Sequence, residues 1–262
     1  MNNIKNSFKF KILFNIKNYN VWLFSGIHDL KKKYRKTLLG PFWNVISNII
    51  LMFVITAVWT QVFNISVREF VPHVFTGLVI WFFLTDVTVG STTIITEKWH
   101  SYFQNVFIPV LSICLRYLTT NIFVFFHNLP IFLILMFYLS TLQNILFVFL
   151  GLIILLLNSI WLTVLMVFLG TRFRDIKPLA SSIMAAGTLI TPIMWKKDML
   201  GKYENYVYFN PFTHIIEVVR APLIGNNVEL FVYLTNIFFI IIGFSLTYFL
   251  FKKKGSKLIY WV

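Results

Sequence analysis

The chain has 262 residues, of which 58% are hydrophobic and only 12% are charged, and its formal net charge is +14. A soluble domain is usually about a quarter charged, so this composition excludes an ordinary soluble protein. The apolar residues lie in long uncharged runs of the length that crosses a bilayer. We therefore predict an all-α polytopic membrane protein, and the excess of positive charge has to be explained.

The charged residues divide the chain into six predicted transmembrane helices. A helix needs about 20 residues to cross an apolar core of about 30 Å. The 55 uncharged residues between Arg116 and Arg172 are too many for one crossing, and a polar cluster at 140–144 predicts a turn there. The predicted helices cover residues 41–64, 74–96, 117–139, 145–170, 178–195 and 230–251. Residues 1–40 precede this domain, and 252–262 form a tail.

The basic residues predict the orientation of these helices. With the N-terminus inside, 18 of the 23 lysines and arginines lie on the cytoplasmic side and 5 lie outside. Cytoplasmic loops of membrane proteins carry the excess of lysine and arginine. Both termini are therefore predicted to be cytoplasmic.

Residues 19–39 have the pattern of an amphipathic helix that lies in the headgroup plane. Apolar side chains recur every three or four residues, and the positions between them are basic or polar. Two interpretations stay open: a basic anchor on anionic lipid, or a helix that also frames an opening into a channel. Binding of nucleic acid is not expected beside a membrane helix. The candidate residues here are Trp22, His28, Asp29, Lys31, Tyr34, Arg35 and Trp43.

One carboxylate, Asp86, lies within a predicted transmembrane helix among serines and threonines. A buried charge in a membrane is costly and usually faces a partner or a watery cavity. Asp86 is therefore predicted either to hydrogen-bond a neighbouring helix or to line a channel. The channel candidates are Trp81, Asp86 and Thr88.

Two connections between the predicted helices carry polar signals. The loop 171–178 holds Arg172, Arg174 and Asp175, which either contact a cytoplasmic partner or only set the topology. In the long outer segment 196–229, Asn210 followed by Pro211 is a helix-start signal. It predicts a short re-entrant or interfacial helix.

Several kinds of site are missing from the sequence. It contains no phosphate-binding loop of the Gly-x-x-x-x-Gly-Lys-Ser/Thr type, and its single cysteine, Cys114, supports neither a disulfide nor a Cys/His metal cluster. No two acidic residues lie closer than Asp198 and Glu204. We expect no catalytic residue, no metal and no cofactor on this chain.

The residues from His28 to Trp43, HDLKKKYRKTLLGPFW, resemble the entrance to the first span in permease subunits of ABC-2 type transporters that export polysaccharides. Four further pieces follow in the order of that family: 77–81 (GLVIW), 173–176 (FRDI), 191–195 (TPIMW) and the stretch from Asn210 to Arg220. Together they cover most of the chain.

The resemblance implies a homodimer of this chain with two ATP-binding-cassette subunits, which bind ATP and Mg²⁺. It implies that the substrate is a lipid-linked polysaccharide, most simply O-antigen. This substrate would cross the bacterial inner membrane through a channel at the dimer interface, and membrane lipids would surround the dimer. It also implies outer gate helices and an ATPase-coupling segment, although Gln104 and Asn105 stand where the family usually has basic residues. The implied coupling residues are Glu97, Tyr102, Phe107 and Pro109, and the implied outer-gate residues are Pro192, Asn210, Pro211 and Arg220.

Three alternatives stay open at this point. The first is an ABC-2 exporter of another glycan, such as capsule or teichoic acid. The second is an ABC-2 exporter of a drug or lipid. The third, from a different class, is a membrane scaffold or glycan-assembly protein without ATP coupling.

Overall fold

The computed structural model describes residues 17–98, 109–255, 258 and 261. Every regular element in these residues is helical, as the composition predicts. The α-helices are α1 (Tyr19–Lys33), α2 (Phe42–Phe63), α3 (Val67–Thr88), α4 (Val110–Phe126), α5 (Leu129–Tyr138), α6 (Ile145–Arg172), α7 (Ile176–Ile190), α8 (Pro211–Leu223) and α9 (Leu230–Lys254). Helix α3 continues into a 3₁₀ turn, Gly90–Thr93, and a π turn, Ile94–Lys98, and a 3₁₀ segment, Lys197–Phe209, precedes α8.

Five helical stretches of the described residues are long and apolar enough to cross a membrane, so the protein is a multi-pass membrane protein. They are Phe42–Phe63, Val67–Glu97, Val110–Tyr138, Leu142–Arg172 and Leu230–Lys253. The remaining predicted crossing, 178–195, corresponds to α7, which has 15 residues and is about 22 Å long at 1.5 Å per residue. That length is short of a bilayer core of about 30 Å. The count of six transmembrane helices therefore stays a prediction.

Two helices begin seven residues earlier than the charge pattern predicts. Helix α3 begins at Val67 and has Glu69 in its first turn, where a carboxylate interacts favourably with the helix dipole. Helix α4 begins at Val110 and includes Arg116, whose charge is paired with an aspartate of α1. The prediction treated these charged residues as boundaries, but the helices accommodate them.

The predicted turn at residues 140–144 is confirmed. Helix α5 ends at Tyr138, Ser140 takes a left-handed conformation with φ of 58°, and α6 begins at Ile145. The turn is fastened to the end of α8, because the Thr141 hydroxyl donates to the carbonyl of Leu223 at 2.9 Å. Polar residues are needed here because backbone groups of a turn have no helical partners.

Helix α1 begins where predicted but ends at Lys33 rather than at residue 39. Positive φ angles at Lys36 and Gly40, 71° and 56°, turn the chain into α2. Helix α1 packs closely on α4 at Gly26, where a Cβ atom would overlap the carbonyl oxygen of Arg116 and the side chain of Thr119. Glycine at this position allows the two backbones to touch.

Helix α3 lies at the centre of the bundle, and its residues from His73 to Trp81 are all buried. Helix α2 covers one side of α3, while α6 and α8 pack against each other and against α3. Helix α8 is buried along most of its length. The short outer helix predicted from Asn210 and Pro211 is thus part of the core.

Candidate functional site

The N-terminal helix is held to the bundle by an ion pair. The Arg116 guanidinium donates from Nε to Asp29 Oδ2 at 2.6 Å and from Nη2 to Asp29 Oδ1 at 2.7 Å. One turn away, the Thr120 hydroxyl donates to the carbonyl of Gly26 at 3.0 Å. Such a two-pronged contact fixes orientation as well as distance, so α1 is docked on α4 in one register.

The other predicted residues of this region surround the docked helix. Burial, and next the charge of Asp86, raise the pKa of Tyr34, so the Tyr34 ring lies within electrostatic range of that carboxylate. Lys33 lies over the Tyr34 ring with its Nζ 5.5 Å from the centroid. Trp22 is half-buried, and His28, Lys31, Arg35 and Trp43 are exposed.

Of the three channel candidates, Asp86 is the one that the single chain exposes. Trp81 is buried, with its ring 5.2 Å from that of Phe212, and Thr88 donates to the backbone of its own helix. Both therefore face the interior of the protomer. Their role in a channel stays a prediction.

Beside Asp86, α2, α3 and α4 form a narrow cleft in which polar side chains lie among valines and phenylalanines. The Tyr117 hydroxyl donates to the backbone carbonyl of Asp86 at 3.0 Å. At the other end of the cleft the amides of Asn44, Asn48 and Asn128 bond one another at 3.2 to 3.4 Å. These amides satisfy each other inside a membrane protein, where unpaired polar groups are costly.

The predicted coupling segment lies partly outside the described residues, since Tyr102 and Phe107 fall there. Of the others, Glu97 pairs with Lys177 of α7 at 3.0 Å, and Pro109 immediately precedes α4. The Glu97–Lys177 pair joins the end of α3 to the beginning of α7. Sequence reasoning did not single out Lys177.

At the end of α6, the guanidinium of Arg172 lies 5.4 Å from the ring centroids of both Phe173 and Trp261. Trp261 thereby lies against the end of α6. Arg174 and Asp175 are exposed, and Asp175 immediately precedes α7. An acidic residue at a helix start interacts favourably with the helix dipole.

Among the predicted outer-gate residues, Pro192 contacts Arg220, which is buried. Its guanidinium donates to Glu217 Oε2 from Nε at 3.0 Å, to the carbonyl of Pro192, and contacts His73 Nε2 at 3.2 Å. His73 also contacts the carbonyl of Trp195 at 2.9 Å. This cluster ties α3, α8 and the chain after α7 together.

The beginning of α8 is capped as the sequence predicts. The Asn210 side chain accepts from the backbone N–H of Phe212 at 3.0 Å, and Pro211 takes the first helical position. The Asn210 amide also donates to the Thr191 hydroxyl at 2.7 Å, so the cap fastens α8 to the end of α7.

Sequence reasoning missed His73 and Glu217. A signal for Glu217 was present, because a glutamate three residues before an arginine on one helix forms a pair. His73 had no such signal, since its partners lie more than 100 residues away along the chain.

Comparisons with known proteins give the family of the chain. The family described as ABC-2 type transporter matches residues 26–224, from within α1 to the end of α8. The O-antigen export system permease protein RfbA of Myxococcus xanthus is 25% identical over 170 residues, which are 64% of this chain and 65% of that protein. The alignment thus covers slightly less than two thirds of the relative. The family match extends over most of the described structure, and the chain belongs to the ABC-2 type transporter family of membrane proteins.

Proposed function

We propose that this chain is the permease subunit of an ATP-driven exporter that moves a lipid-linked polysaccharide, O-antigen, across the bacterial inner membrane. The observation that carries the proposal is the family match to residues 26–224. The printed name of the M. xanthus relative, an O-antigen export permease, supports the cargo. The second half of the docked helix α1 and the whole of the capped helix α8 lie within the matched region.

The proposed assembly is a homodimer of this chain with two ATP-binding-cassette subunits, which bind ATP and Mg²⁺. Each chain crosses the membrane six times, with α7 and the turn residues 191–195 forming the fifth crossing. The distribution of 18 basic residues inside against 5 outside supports cytoplasmic termini. The Glu97–Lys177 ion pair would then face the ATPase.

In this proposal the glycan enters beside α1 and leaves beside the Arg220 cluster. Helix α1 carries the exposed basic residues Lys31, Lys32 and Lys33, which attract the phosphate of a lipid carrier. Asp86, which is exposed on α3, offers hydroxyl-rich sugars a hydrogen-bond acceptor. The channel itself forms where two protomers meet.

Export is the test of this function. Cells that lack this chain should accumulate lipid-linked glycan inside and lose it from the surface, and a plasmid copy should restore display. In a matched control, the deletion strain receives the same plasmid, but the ATP site of its partner ATPase is inactivated. We expect no glycan on the surface of this strain. Normal surface glycan in the deletion strain contradicts the proposal.

The same strains separate the alternatives. A drug or lipid exporter leaves surface glycan normal but changes drug resistance or lipid distribution. A scaffold or assembly protein changes glycan display without requiring ATP hydrolysis by a partner. Vanadate sensitivity of ATPase activity in the purified complex distinguishes the transport functions from a scaffold.

A further inference from the structure

Three exposed aromatic side chains form a row on the outer 3₁₀ segment. They are Tyr203, Tyr206 and Phe209, which we call the aromatic row, and they are 50%, 61% and 83% exposed. A 3₁₀-helix has three residues per turn and rises about 2 Å per residue, so side chains three apart lie above one another about 6 Å apart. The observed ring centroids are 5.5 and 6.0 Å apart, with planes inclined by 22° and 28°.

The 3₁₀ segment that carries the aromatic row is held by contacts of the residues between the three rings. Val207 is buried, and the Tyr208 hydroxyl accepts from Lys197 Nζ at 3.1 Å and donates to Glu229 at 3.2 Å. At its end, Asn210 is bonded to Thr191. The aromatic row is therefore presented on a rigid support, which lowers the entropic cost of binding.

The row forms one wall of a groove of about 650 Å³, which we call the outer groove. This volume is within the range of about 300–1,000 Å³ that is typical of sites for small ligands. Four polar side chains also line it, those of Lys202, Asn205, Tyr208 and Glu229. The groove thus combines flat apolar surfaces with donors and acceptors of hydrogen bonds.

The charges of the outer groove favour an uncharged ligand. Lys202 is the cation among the lining residues. The carboxylate of Glu229 forms an ion pair at 3.7 Å with Lys197, which is not part of the lining. Recognition of anionic lipid normally requires several clustered basic residues. A sugar chain, with apolar ring faces and many hydroxyls, fits this surface better than a phosphate headgroup or an acyl chain.

We infer that the outer groove is a binding site for an uncharged segment of the glycan, with the aromatic row stacking on sugar rings. This inference rests on the proposed function and names the place where the exported chain is held on the outer side. Asn205 and Glu229 would supply the hydrogen bonds to sugar hydroxyls. Aromatic faces suit this use because Tyr combines an apolar body with a polar end.

The test compares leucine with flat side chains in the aromatic row. The triple variant Tyr203→Leu, Tyr206→Leu, Phe209→Leu keeps apolar surface but loses every ring. The double variant Tyr203→Phe, Tyr206→Phe keeps the rings and controls for folding. Phe149→Leu replaces an equally exposed ring on α6 and controls for a general loss of aromatic residues.

The probe is a mixture of short oligosaccharides cut from the surface glycan of the source cells, and the protein is the full chain in lipid nanodiscs. Saturation-transfer NMR and titration should show binding to the wild-type chain that weakens roughly three- to tenfold per ring removed. The phenylalanine variant and Phe149→Leu should bind like the wild type. Equal binding by the leucine variant overturns the inference and indicates that the row is an anchor at the lipid surface.

Export in the deletion strain separates this inference from the proposed function. If the deletion strain displays normal glycan, the proposed function fails and the inference fails with it. If the wild-type plasmid restores display and the leucine variant both binds and exports as well as the wild type, only the inference fails. Slower export by the leucine variant, at equal protein level, supports both.

Discussion

The guanidinium of Arg116 in α4 donates two hydrogen bonds to the carboxylate of Asp29 in α1, at 2.6 and 2.7 Å. The residues are 87 positions apart along the chain, and each side chain is about a quarter exposed. Helix α1 therefore has a specific docking site on the bundle, in addition to any affinity for lipid.

Replacement of Asp29 with Asn should loosen α1 without unfolding the protein. The variant loses the charge pair but keeps a side chain of the same shape, and because the pair is partly exposed the loss should be about 1 kcal/mol. Hydrogen exchange of residues 19–33, followed by mass spectrometry, should become faster.

The charge-reversed double variant Asp29→Arg, Arg116→Asp is the control, since it can form the pair in the opposite direction. It should slow the exchange of α1 again relative to either single variant. If Asp29→Asn leaves the exchange of α1 unchanged, the ion pair does not hold the helix.

Arg220 should be among the most sensitive positions for stability. Replacement with Met leaves Glu217 and the carbonyl of Pro192 without their partner in a buried cluster. Removing one partner of a buried ion pair costs about 3–5 kcal/mol. Thermal unfolding of the purified chain in detergent should show a large decrease in Tm.

Two companion variants of Arg220→Met identify the cause. Adding Glu217→Gln should recover part of the lost stability, because the orphaned carboxylate is removed. Arg220→Lys keeps the positive charge but cannot reach several acceptors at once, so it should lie between the wild type and Arg220→Met. A Tm for Arg220→Met equal to that of the wild type would contradict the structural role.

Gly151 sets the contact between α6 and α8. A Cβ atom at this position would overlap the carbonyl oxygen of Val218, which is backbone, so the helices must move apart. Gly151→Ala should cost about 1–3 kcal/mol and lower the Tm. Leu150→Ala, at an exposed position of the same helix, should have a much smaller effect.

The outer segment should loosen at alkaline pH. The hydrogen bond to Tyr208, and then the nearby Glu229 and Glu217 carboxylates, hold the pKa of Lys197 above its ordinary value of 10.5, and burial raises the pKa of Tyr208 above 10.0. Both pKa values are raised in the folded state. The stability that Lys197 and Tyr208 contribute is therefore fully present when the pH is below their ordinary pKa values. It is lost as the pH rises through their raised pKa values in the folded protein.

The corresponding measurement is the Tm as a function of pH, from neutral to strongly alkaline. Tyr208→Phe removes the hydroxyl that bonds Lys197, so its Tm should fall less steeply in the alkaline range than that of the wild type. Identical alkaline slopes for the two proteins would show that this pair does not control the segment.

Local patterns in the sequence predict a large part of this fold. The polar cluster around Thr141 places a turn, and Asn210 with Pro211 places a helix start, because caps and turns depend on neighbouring residues. The first residues of α3 and α4 were predicted too late in the sequence. The charged residues Arg68, Glu69 and Arg116 lie within these helices, and their partners are far away along the chain. The composition alone does not reveal those partners.

The candidate site divides in the same way. Asn210 and Pro211 were identified from a local motif and Arg220 from the family resemblance, and the structure brings Arg220 to Pro192. His73 was missed because its contacts are distant along the chain. The aromatic row was missed because side chains three residues apart lie directly above one another in a 3₁₀-helix, whereas an α-helix turns each by about 60° from the one before. An α-helix of the same sequence would spread those rings around its surface.

The length of α7 leads to a test of the fifth predicted crossing, which α7 and residues 191–195 would form. Cys114 is the single cysteine of the chain and is buried, so after its replacement by Ala, cysteines can be introduced one at a time. If α7 and residues 191–195 cross the membrane, Arg174→Cys and Leu200→Cys lie on opposite sides. A maleimide that cannot cross membranes should label Leu200→Cys in intact spheroplasts and Arg174→Cys only after lysis.

Lys32→Cys and Tyr203→Cys serve as references for the two sides, because one lies on the basic helix α1 and the other on the aromatic row. Lys32→Cys should react like Arg174→Cys, and Tyr203→Cys should react like Leu200→Cys. If Arg174→Cys and Leu200→Cys react from the same side, α7 enters the membrane and returns. The positive-inside assignment of the tail would then have to change as well, since an odd number of crossings places the two termini on opposite sides.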